Sequence, residues 1–283
     1  MLTEILMTSH PPGGGRWNET PELVELSTIT SSVTKAQSKR REAAKRKPVL
    51  QIEPIPDVQP FRGKHNPLSR SHVSYKSGMI IRTAADNYAP KVALSDSEAE
   101  EALKIDALLQ PNVYDVECQP VRISLPRNPG SKHRRSHTYD VRVTLIDLQT
   151  GQLWRKLIYV RNKISLRSPT SVPRIAEIVR HTPANLCDEI VVVSDAQYSR
   201  NYRDNNRRIR LCHISPSAEA DQAVMELVNS TTGSTRIENI VAQSGMQEAM
   251  AWQAIMRMIG AGKIGVERDA VIDYPSEIWS VGK

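Results

Sequence analysis

The chain has 283 residues, of which 39% are hydrophobic and only 5% are aromatic, and its formal net charge is +7. Such a length suits about two domains, and the low aromatic content predicts cores built mainly from Val, Ile, Leu and Ala. Its three cysteines are isolated, which excludes a CxxC zinc pair and a disulfide framework and indicates a reducing compartment. No apolar run approaches the roughly 18 residues of a membrane span and no signal peptide is expected, so we expect a cytoplasmic protein without membrane contacts.

Composition divides the chain into three regions. Residues 1–74 are rich in Pro, Gly, Ser, Lys and Arg, which predicts a basic arm that is mostly disordered and orders on a partner or on DNA. A tail with no specific role is the alternative. Residues 75–215 combine helical and strand patterns and are expected to form one domain, and residues 216–283 are expected to form a second.

The middle region predicts an α/β fold. Apolar residues recur at helical spacing over residues 99–109, before Pro111, and a second helix is predicted at residues 174–181. Strands are predicted where apolar residues alternate or run together, at residues 113–117, 121–125, 139–147, 153–160 and 189–194. Residues 127–136 form a basic loop. These elements predict a mixed sheet flanked by helices.

The C-terminal region predicts a winged helix. Helical patterns occupy residues 218–228, 235–243 and 247–259, and a short Ser-Gly-Met turn joins the last two as a helix-turn-helix. Residues 263–266 and 270–273 are expected to pair as a small hairpin, the wing. A plain helical bundle for protein contacts is the alternative.

Three side chains in a fixed order indicate phosphodiester chemistry. Glu100 lies on the first predicted helix, Asp140 opens a strand although Asp is unfavourable in strands, and Lys163 ends the following strand. Two carboxylates and water suit Mg²⁺, and a lysine can stabilise charge that develops on a phosphate. We therefore predict Glu100 and Asp140 as Mg²⁺ ligands, and Glu100, Asp140 and Lys163 as catalytic residues.

One member of this set is missing. PD-(D/E)XK nucleases carry an acidic or amide residue two positions before the motif lysine. If Lys163 is that lysine, Arg161 stands at the acidic position; if Arg161 is the basic residue, Tyr159 stands there. An Arg161 side chain that points toward the metal repels it and one that points away does not, and the sequence leaves the strand register open. Catalysis is therefore expected to be weak or absent.

Clustered basic residues predict contacts with DNA phosphates. Arg134 and Arg135 lie in the basic loop shortly before Asp140, and Arg207 and Arg208 form another pair. Clustered Lys and Arg neutralise phosphates and release counterions. We predict these four arginines as DNA-binding residues, with a basic surface that only aids solubility as the alternative.

The order of these features resembles TnsA, the endonuclease subunit of heteromeric transposases. The resemblance covers residues 76–283 and rests on five segments: Ser-Glu-Ala-Glu at 97–100, Gln-Pro-Asn-Val at 110–113 with Cys-Gln-Pro at 118–120, Tyr-Asp-Val at 139–141, Ser-Asp-Ala-Gln-Tyr at 194–198 with Asn205 and Ile209, and the C-terminal winged helix. It implies a restriction-endonuclease-like domain and metal-dependent cutting of one DNA strand at transposon ends. It also implies a separate transposase subunit and an ATPase regulator as partners.

Two other functions fit the same patterns. One is a non-catalytic DNA-binding or assembly subunit that keeps the nuclease fold as a scaffold. The other is a winged-helix regulator whose α/β domain senses a partner.

Overall fold

A computed structural model describes residues 53–66, 75–128, 130 and 132–282, which form a mixed α/β structure. This confirms the predicted class. The strands, in chain order, are β1 (Ser77–Ile81), β2 (Lys91–Ser95), β3 (Val113–Cys118), β4 (Arg122–Leu125), β5 (Arg135–Thr138), β6 (Val141–Ile146), β7 (Leu153–Arg161), β8 (Glu189–Ser194), β9 (Ser234–Arg236), β10 (Ile264–Val266) and β11 (Glu277–Ser280). The α-helices are α1 (Glu98–Leu108), α2 (Lys163–Leu166), α3 (Ser171–Arg180), α4 (Arg200–Cys212), α5 (Ala218–Ser230), α6 (Ile237–Gln243) and α7 (Glu248–Gly260).

The central sheet has the strand order β3–β6–β7–β8, with β8 parallel to β7 and the other pairs antiparallel. Helix α1 covers one face, where Ile158 and Val160 of β7 join its hydrophobic core. Helix α3 and the antiparallel β4–β5 hairpin cover the other face, where Leu157 and Tyr159 pack with Ile178. Successive side chains of a strand point to opposite faces, so β7 contributes to both cores.

The C-terminal helices share a core with the sheet domain. Helices α5, α6 and α7 pack with a three-stranded antiparallel sheet of order β10–β11–β9. Ile105 of α1 and Ile209 of α4 belong to the same hydrophobic cluster. Gly260 lets α7 approach α4 closely, because a Cβ atom at this position would lie 2.6 Å from the Ile209 side chain.

The buried side chain of Asn205 makes three of the hydrogen bonds that join helix α4 to the C-terminal unit. Asn205 is 1% exposed, and its amide nitrogen donates to the carbonyls of Arg268 and Ala270 at 2.9 and 2.7 Å. Its amide oxygen accepts from the Ile272 N–H at 3.2 Å. One side chain thereby satisfies three backbone groups of a segment that lies outside the strands.

Most of the predicted elements are confirmed. The strand predicted at residues 189–194 coincides with β8, and the helix predicted at 99–109 corresponds to α1. The helix-turn-helix predicted from residue 235 is present as α6 and α7, although residues 234–236 form β9. Sequence patterns do not reveal α4, because its sequence is dominated by Arg and Asn and shows few apolar positions.

The prediction that residues 270–273 form the second strand of the C-terminal hairpin is wrong. Strand β10 pairs with β11, at Glu277–Ser280, and residues 270–273 form no strand. The physical reason is that Asn205 already binds the backbone groups of Ala270 and Ile272. Ile272 is fully buried. Its apolar side chain therefore serves packing against α4 and is not a sign of strand pairing.

The prediction that Lys163 ends strand β7 is wrong. It ends at Arg161, and Lys163 begins α2 instead of ending the strand. Asn162 starts this helix, since its side chain accepts a hydrogen bond from the Ser165 N–H at 2.6 Å. Asn is a favoured N-cap residue, and here the capping interaction ends the strand pattern.

The predicted disordered arm lies mostly outside the described residues, which omit 1–52 and 67–74. Residues 53–66 are described and lie against the sheet domain. Gln59 forms a parallel bridge with Lys91, and the Lys64 N–H donates to the Gln119 carbonyl at 2.8 Å. Across the described ranges, no helix combines the length and apolar character that crossing a bilayer requires.

The Asn205 contacts generate a stability prediction. We expect Asn205→Ala to lower the free energy of unfolding by about 3 kcal/mol, because three backbone groups lose their partner, one of them on the buried Ile272. Asn201→Ala is the matched control on the same helix, since Asn201 donates only to the Asp269 carbonyl, at 2.8 Å. Its expected cost is about 1 kcal/mol in urea-induced unfolding. Equal losses for the two variants would contradict the role given to Asn205.

Candidate active site

Glu100 occupies the first turn of α1 and is almost completely buried. Ser97 caps the helix, and its hydroxyl accepts a hydrogen bond from the Glu100 N–H at 3.2 Å. The Glu100 side chain turns back toward the N-terminus of the helix, where Oε2 accepts from the Asp96 N–H at 3.2 Å. Glu100 is 4% exposed, so its carboxyl is fixed in place and largely removed from water.

Asp140 lies directly before β6, at the edge of β7. Its N–H donates to the Ile158 carbonyl at 3.1 Å, and its Oδ2 accepts from the Val160 N–H at 2.8 Å. The Gln119 N–H donates to the Asp140 carbonyl at 2.9 Å. Asp therefore stands at this unfavourable strand position because its carboxylate continues the hydrogen-bonding pattern of β7.

The two predicted acids lie close enough to influence each other. Burial raises the pKa of the Glu100 carboxyl well above its usual range. A hydrogen bond with Asp96 and the negative charge of Asp140 raise this pKa further, while the positive charge of Lys104 offsets part of the shift. A buried carboxyl beside other carboxylates is the arrangement found at cation-binding and proton-transfer sites.

The face of β7 that meets this acidic site is apolar. Ile158 and Val160 point toward α1, whereas Tyr159 points to the opposite core. The Arg161 guanidinium lies over the Tyr159 ring, 3.8 Å from its centroid, and donates to the tyrosine hydroxyl. Of the two residues considered for the missing acidic position, Tyr159 lies in the opposite core, and Arg161 stacks its guanidinium on Tyr159 while also lining the cleft beside Glu100. The position that faces the carboxylates is one residue away in register and carries Val160.

Lys163 is separated from the acids by its place on α2. Its side chain is exposed, and its backbone N–H donates to Asp195 Oδ1 at 2.7 Å. The cleft beside Glu100 is lined instead by Asn162, Asp195 and Arg203 among others. The structure thus brings Glu100 and Asp140 together and leaves the Lys163 side chain outside the lining of this cleft.

The charged residues at this cleft that sequence reasoning missed include Asp96, Asp195 and Arg203. Asp96 carried a readable signal, because it directly precedes the Ser97 helix cap and the Glu100 turn. Arg203 carried none, since it reaches the cleft only through the packing of α4 against α1, where it pairs with Glu98 at 2.9 Å.

The donor set suits a hard cation only in part. Within the described residues, no group of three or more Asp, Glu, His or Cys side chains has the arrangement of a complete metal site. Glu100 and Asp140 supply two carboxylates, which is the number that Mg²⁺ commonly takes from a protein before water and phosphate complete its shell. The residues therefore fit a Mg²⁺ site that depends on water and substrate for its remaining ligands.

The two arginines predicted in the basic loop differ in their surroundings. Arg134 is exposed. Arg135 lies at the start of β5 and forms a two-pronged ion pair with Glu177 of α3, at 2.8 and 2.6 Å. The charge of Arg135 is therefore shared with a carboxylate, and its contact with DNA stays a prediction.

Arg207 and Arg208 are engaged inside the fold. Arg207 donates to Glu101 Oε2 at 2.8 Å, and this contact raises the pKa of the guanidinium. Arg208 donates to the Ile272 carbonyl at 2.7 Å, and its guanidinium lies over the Trp252 ring at 5.4 Å from the centroid. These contacts hold α4 against α1 and α7, while the predicted role of both arginines in DNA binding stays a prediction.

No protein-family model matches the chain, and none of the curated proteins matches it. The candidate site is therefore interpreted from its own geometry and chemistry.

The burial of Glu100 generates a prediction for pH-dependent stability. Because its folded-state pKa lies above the usual 4.5, the folded protein keeps a proton that the unfolded chain loses as pH rises. The free energy of unfolding therefore falls as pH rises from 4.5 to the raised pKa, and the loss persists at higher pH. Glu100→Gln removes this loss, so we expect a higher Tm than wild type at pH of about 8 and a gap that closes near about pH 4.

Glu98→Gln is the control for this measurement, because it removes a more exposed carboxylate from the same helical turn. A gap of the same size in Glu98→Gln would assign the effect to charge at the helix N-terminus rather than to burial of Glu100.

The register of β7 generates a prediction about Mg²⁺. We expect Val160→Glu to tighten Mg²⁺ binding by at least about tenfold, because it adds a carboxylate on the face shared with Glu100. Arg161→Glu should leave the affinity unchanged, since Arg161 lies on the Tyr159 face. The rise of Tm with Mg²⁺ concentration measures both affinities. Tighter binding by Arg161→Glu but not by Val160→Glu would contradict the assignment of faces.

Proposed function

We propose that this chain is a TnsA-like DNA endonuclease subunit with a weakened, Mg²⁺-dependent site, which nicks one strand at transposon ends together with a transposase. The observation that carries the proposal is the convergence of Glu100 and Asp140 beside Asp96 at one end of the central sheet. Forty residues separate the two predicted ligands in sequence, and both are held by backbone hydrogen bonds. An ordinary solvated acidic surface has no need of such burial.

The order of elements supports a nuclease-like domain followed by a winged helix. Helix α1, the antiparallel strands β3, β6 and β7, helix α3 and the parallel strand β8 form a mixed sheet between helices. In the C-terminal unit, α6 and α7 follow α5 and β9, and the antiparallel pair β10–β11 comes after them. A helix-turn-helix followed by a hairpin is the arrangement expected of a winged helix.

The side chains of the site are suited to holding a cation in a fixed position. Glu100 and Asp140 would hold the ion, and Asp96 lies beside them. A bound Mg²⁺ would activate water and neutralise charge on the phosphate. The chain itself fixes Asp140 through the Val160 N–H and excludes water from Glu100 by burial. Cation binding also favours the ionised form of Glu100, which burial and the neighbouring acids oppose.

The site lacks two groups of the expected set, which supports weak catalysis. Val160 and Ile158 occupy the β7 positions that face the carboxylates, and neither offers an oxygen ligand. Lys163 is exposed on α2, so its amine is not held at the acids. Loss of one electrostatic stabiliser typically lowers the rate by about 10²–10³-fold. We therefore expect cleavage that is slow even with the transposase present.

The C-terminal unit suits a protein partner better than DNA. Residues 216–283 carry nine acidic and five basic residues, a net charge of −4, whereas residues 1–215 carry +11. Helix α6, the turn and the first half of α7 contain no Lys or Arg, and Arg257 of α7 is 3% exposed and paired with Asp221. Phosphate binding requires exposed cations. We assign contact with the transposase or the ATPase regulator to this unit and contact with DNA to the preceding residues.

A non-catalytic assembly subunit is the second candidate. The apolar residues Ile158 and Val160 at the acidic site favour it, because a protein that no longer cleaves DNA retains the sheet core while losing polar ligands. This candidate keeps the same DNA contacts and the same partners.

A strand-specific nicking assay tests the proposal. With the transposase, Mg²⁺ and end-labelled transposon-end DNA, we expect slow nicking by the wild type and a further loss of about 10²–10³-fold in Asp140→Ala. Asp147→Asn is the control, because Asp147 lies in the exposed turn at the opposite end of β6. Nicking that survives Asp140→Ala would contradict the proposed site. DNA binding without nicking by the wild type would establish the assembly subunit instead.

A further inference from the structure

Two further clefts adjoin the acidic cleft in sequence along the N-terminal half of α3. The cleft that contains Glu100 shares Arg161 and Ser165 with a second cleft. The second cleft in turn shares Thr170 and Arg174 with a third. We call the second and third clefts together the α3 groove. Because neighbouring clefts have residues in common, they adjoin one another and give an extended ligand a path from the carboxylates along α3.

The sign of the charge changes along this path. The cleft at Glu100 is lined by four carboxylates and two arginines, Arg161 and Arg203. Four arginines and a single glutamate line the α3 groove: Arg135, Arg161, Arg174, Arg180 and Glu177. Glu177 is bound to Arg135 at 2.6 Å. Three arginines therefore remain to give the groove its positive potential, next to a site that would itself require a cation.

We propose that the α3 groove binds the sugar-phosphate backbone of DNA beside the nicking site, with Arg161 and Arg174 as phosphate ligands. This inference rests on the proposed function, and it names the path of the substrate strand. The scissile phosphate lies at the carboxylates and the neighbouring phosphates follow α3. An acidic section followed by a basic section suits such a strand. Only the phosphate being cut requires a metal held by carboxylates, and the neighbouring phosphates bind arginines directly.

The two arginines suit this role in different ways. Arg161 is pre-oriented, because its guanidinium is stacked on Tyr159 and donates to the Val160 carbonyl at 3.2 Å. A planar guanidinium held in one orientation binds phosphate oxygens with two donors. Arg174 is exposed on the first turns of α3 and can adjust to the strand. Between them lie the hydroxyls of Ser165, Ser168 and Thr170, which are common partners of DNA phosphates.

The pKa of the buried His137 is affected by the positive charges of Arg161 and Arg174. Burial lowers its pKa to about 4, and the charges of Arg161 and Arg174 lower it in the same direction. The imidazole therefore stays neutral near pH 7. Its ring packs edge-on against Tyr159, the ring on which Arg161 is stacked. The electrostatic environment agrees with a groove that favours a bound anion.

Fluorescence anisotropy of a labelled duplex in EDTA tests the groove independently of cleavage. We expect Arg161→Ala and Arg174→Ala each to weaken binding by about tenfold, since each removes a charge-assisted hydrogen bond to phosphate. Each should also make the dependence of log K on log salt shallower by about one unit. Arg174→Lys should keep most of the affinity. Arg236→Ala is the control, because it removes an exposed arginine from the C-terminal unit and should leave binding unchanged.

Arg174→Ala decides the outcome, since Arg174 is exposed and its loss leaves the Tyr159 packing intact. If the wild type binds and nicks DNA while Arg174→Ala binds like Arg236→Ala, the groove is overturned and the proposed function stands. If the wild type has no affinity for duplex DNA, both are overturned. Weaker binding and a shallower salt slope in Arg174→Ala, with nicking still sensitive to Asp140, support both.

Discussion

Helix α1 is buried on nearly every side although it carries four charged residues inside the fold, and this constraint organises the molecule. The residues are Glu100, Glu101, Lys104 and Asp106. A charge removed from water must be paired or hydrogen-bonded. Helix α4 supplies partners for Glu101 and Asp106, and a carbonyl of β2 accepts from Lys104. Glu100 differs because its charged neighbours include two carboxylates, Asp96 and Asp140, and this is why we propose it as a cation ligand.

Electrostatics separate the proposed tasks along the chain. The acidic cleft adjoins the basic α3 groove, whereas the C-terminal unit packs with α1 and α4, on the sheet face opposite α3, so a strand of DNA and a protein partner would meet different surfaces. Arg207 and Arg208 illustrate why clustered charge alone is a poor guide to this division. Both belong to a dense basic run, yet their guanidinium groups hold helices together through Glu101 and the Ile272 carbonyl.

The sequence predicts the position of most helices and strands, because hydrophobic periodicity is a local property. It also predicts that Glu100 and Asp140 belong together. It does not predict which residues of β7 face them, because a shift of one residue reverses every side chain and several registers fit the same apolar run. The sequence therefore leaves Arg161 as a candidate for the position beside the two carboxylates, whereas in the structure Val160 occupies that position. Residues 270–273 were misassigned for a related reason, since Asn205, distant in sequence, occupies their backbone groups.

Helix α4 places Tyr202 in the core of the central sheet and Ile209 in the core of the C-terminal unit. The two units therefore meet inside a helix and not at a flexible linker. One consequence is that the C-terminal unit cannot be exchanged independently. A C-terminal unit taken from another protein would pack against an α4 surface shaped for a different neighbour. If the C-terminal unit contacts a protein partner as proposed, substitutions on the outer faces of α6 and α7 would change that contact and leave the packing of α4 in both cores intact.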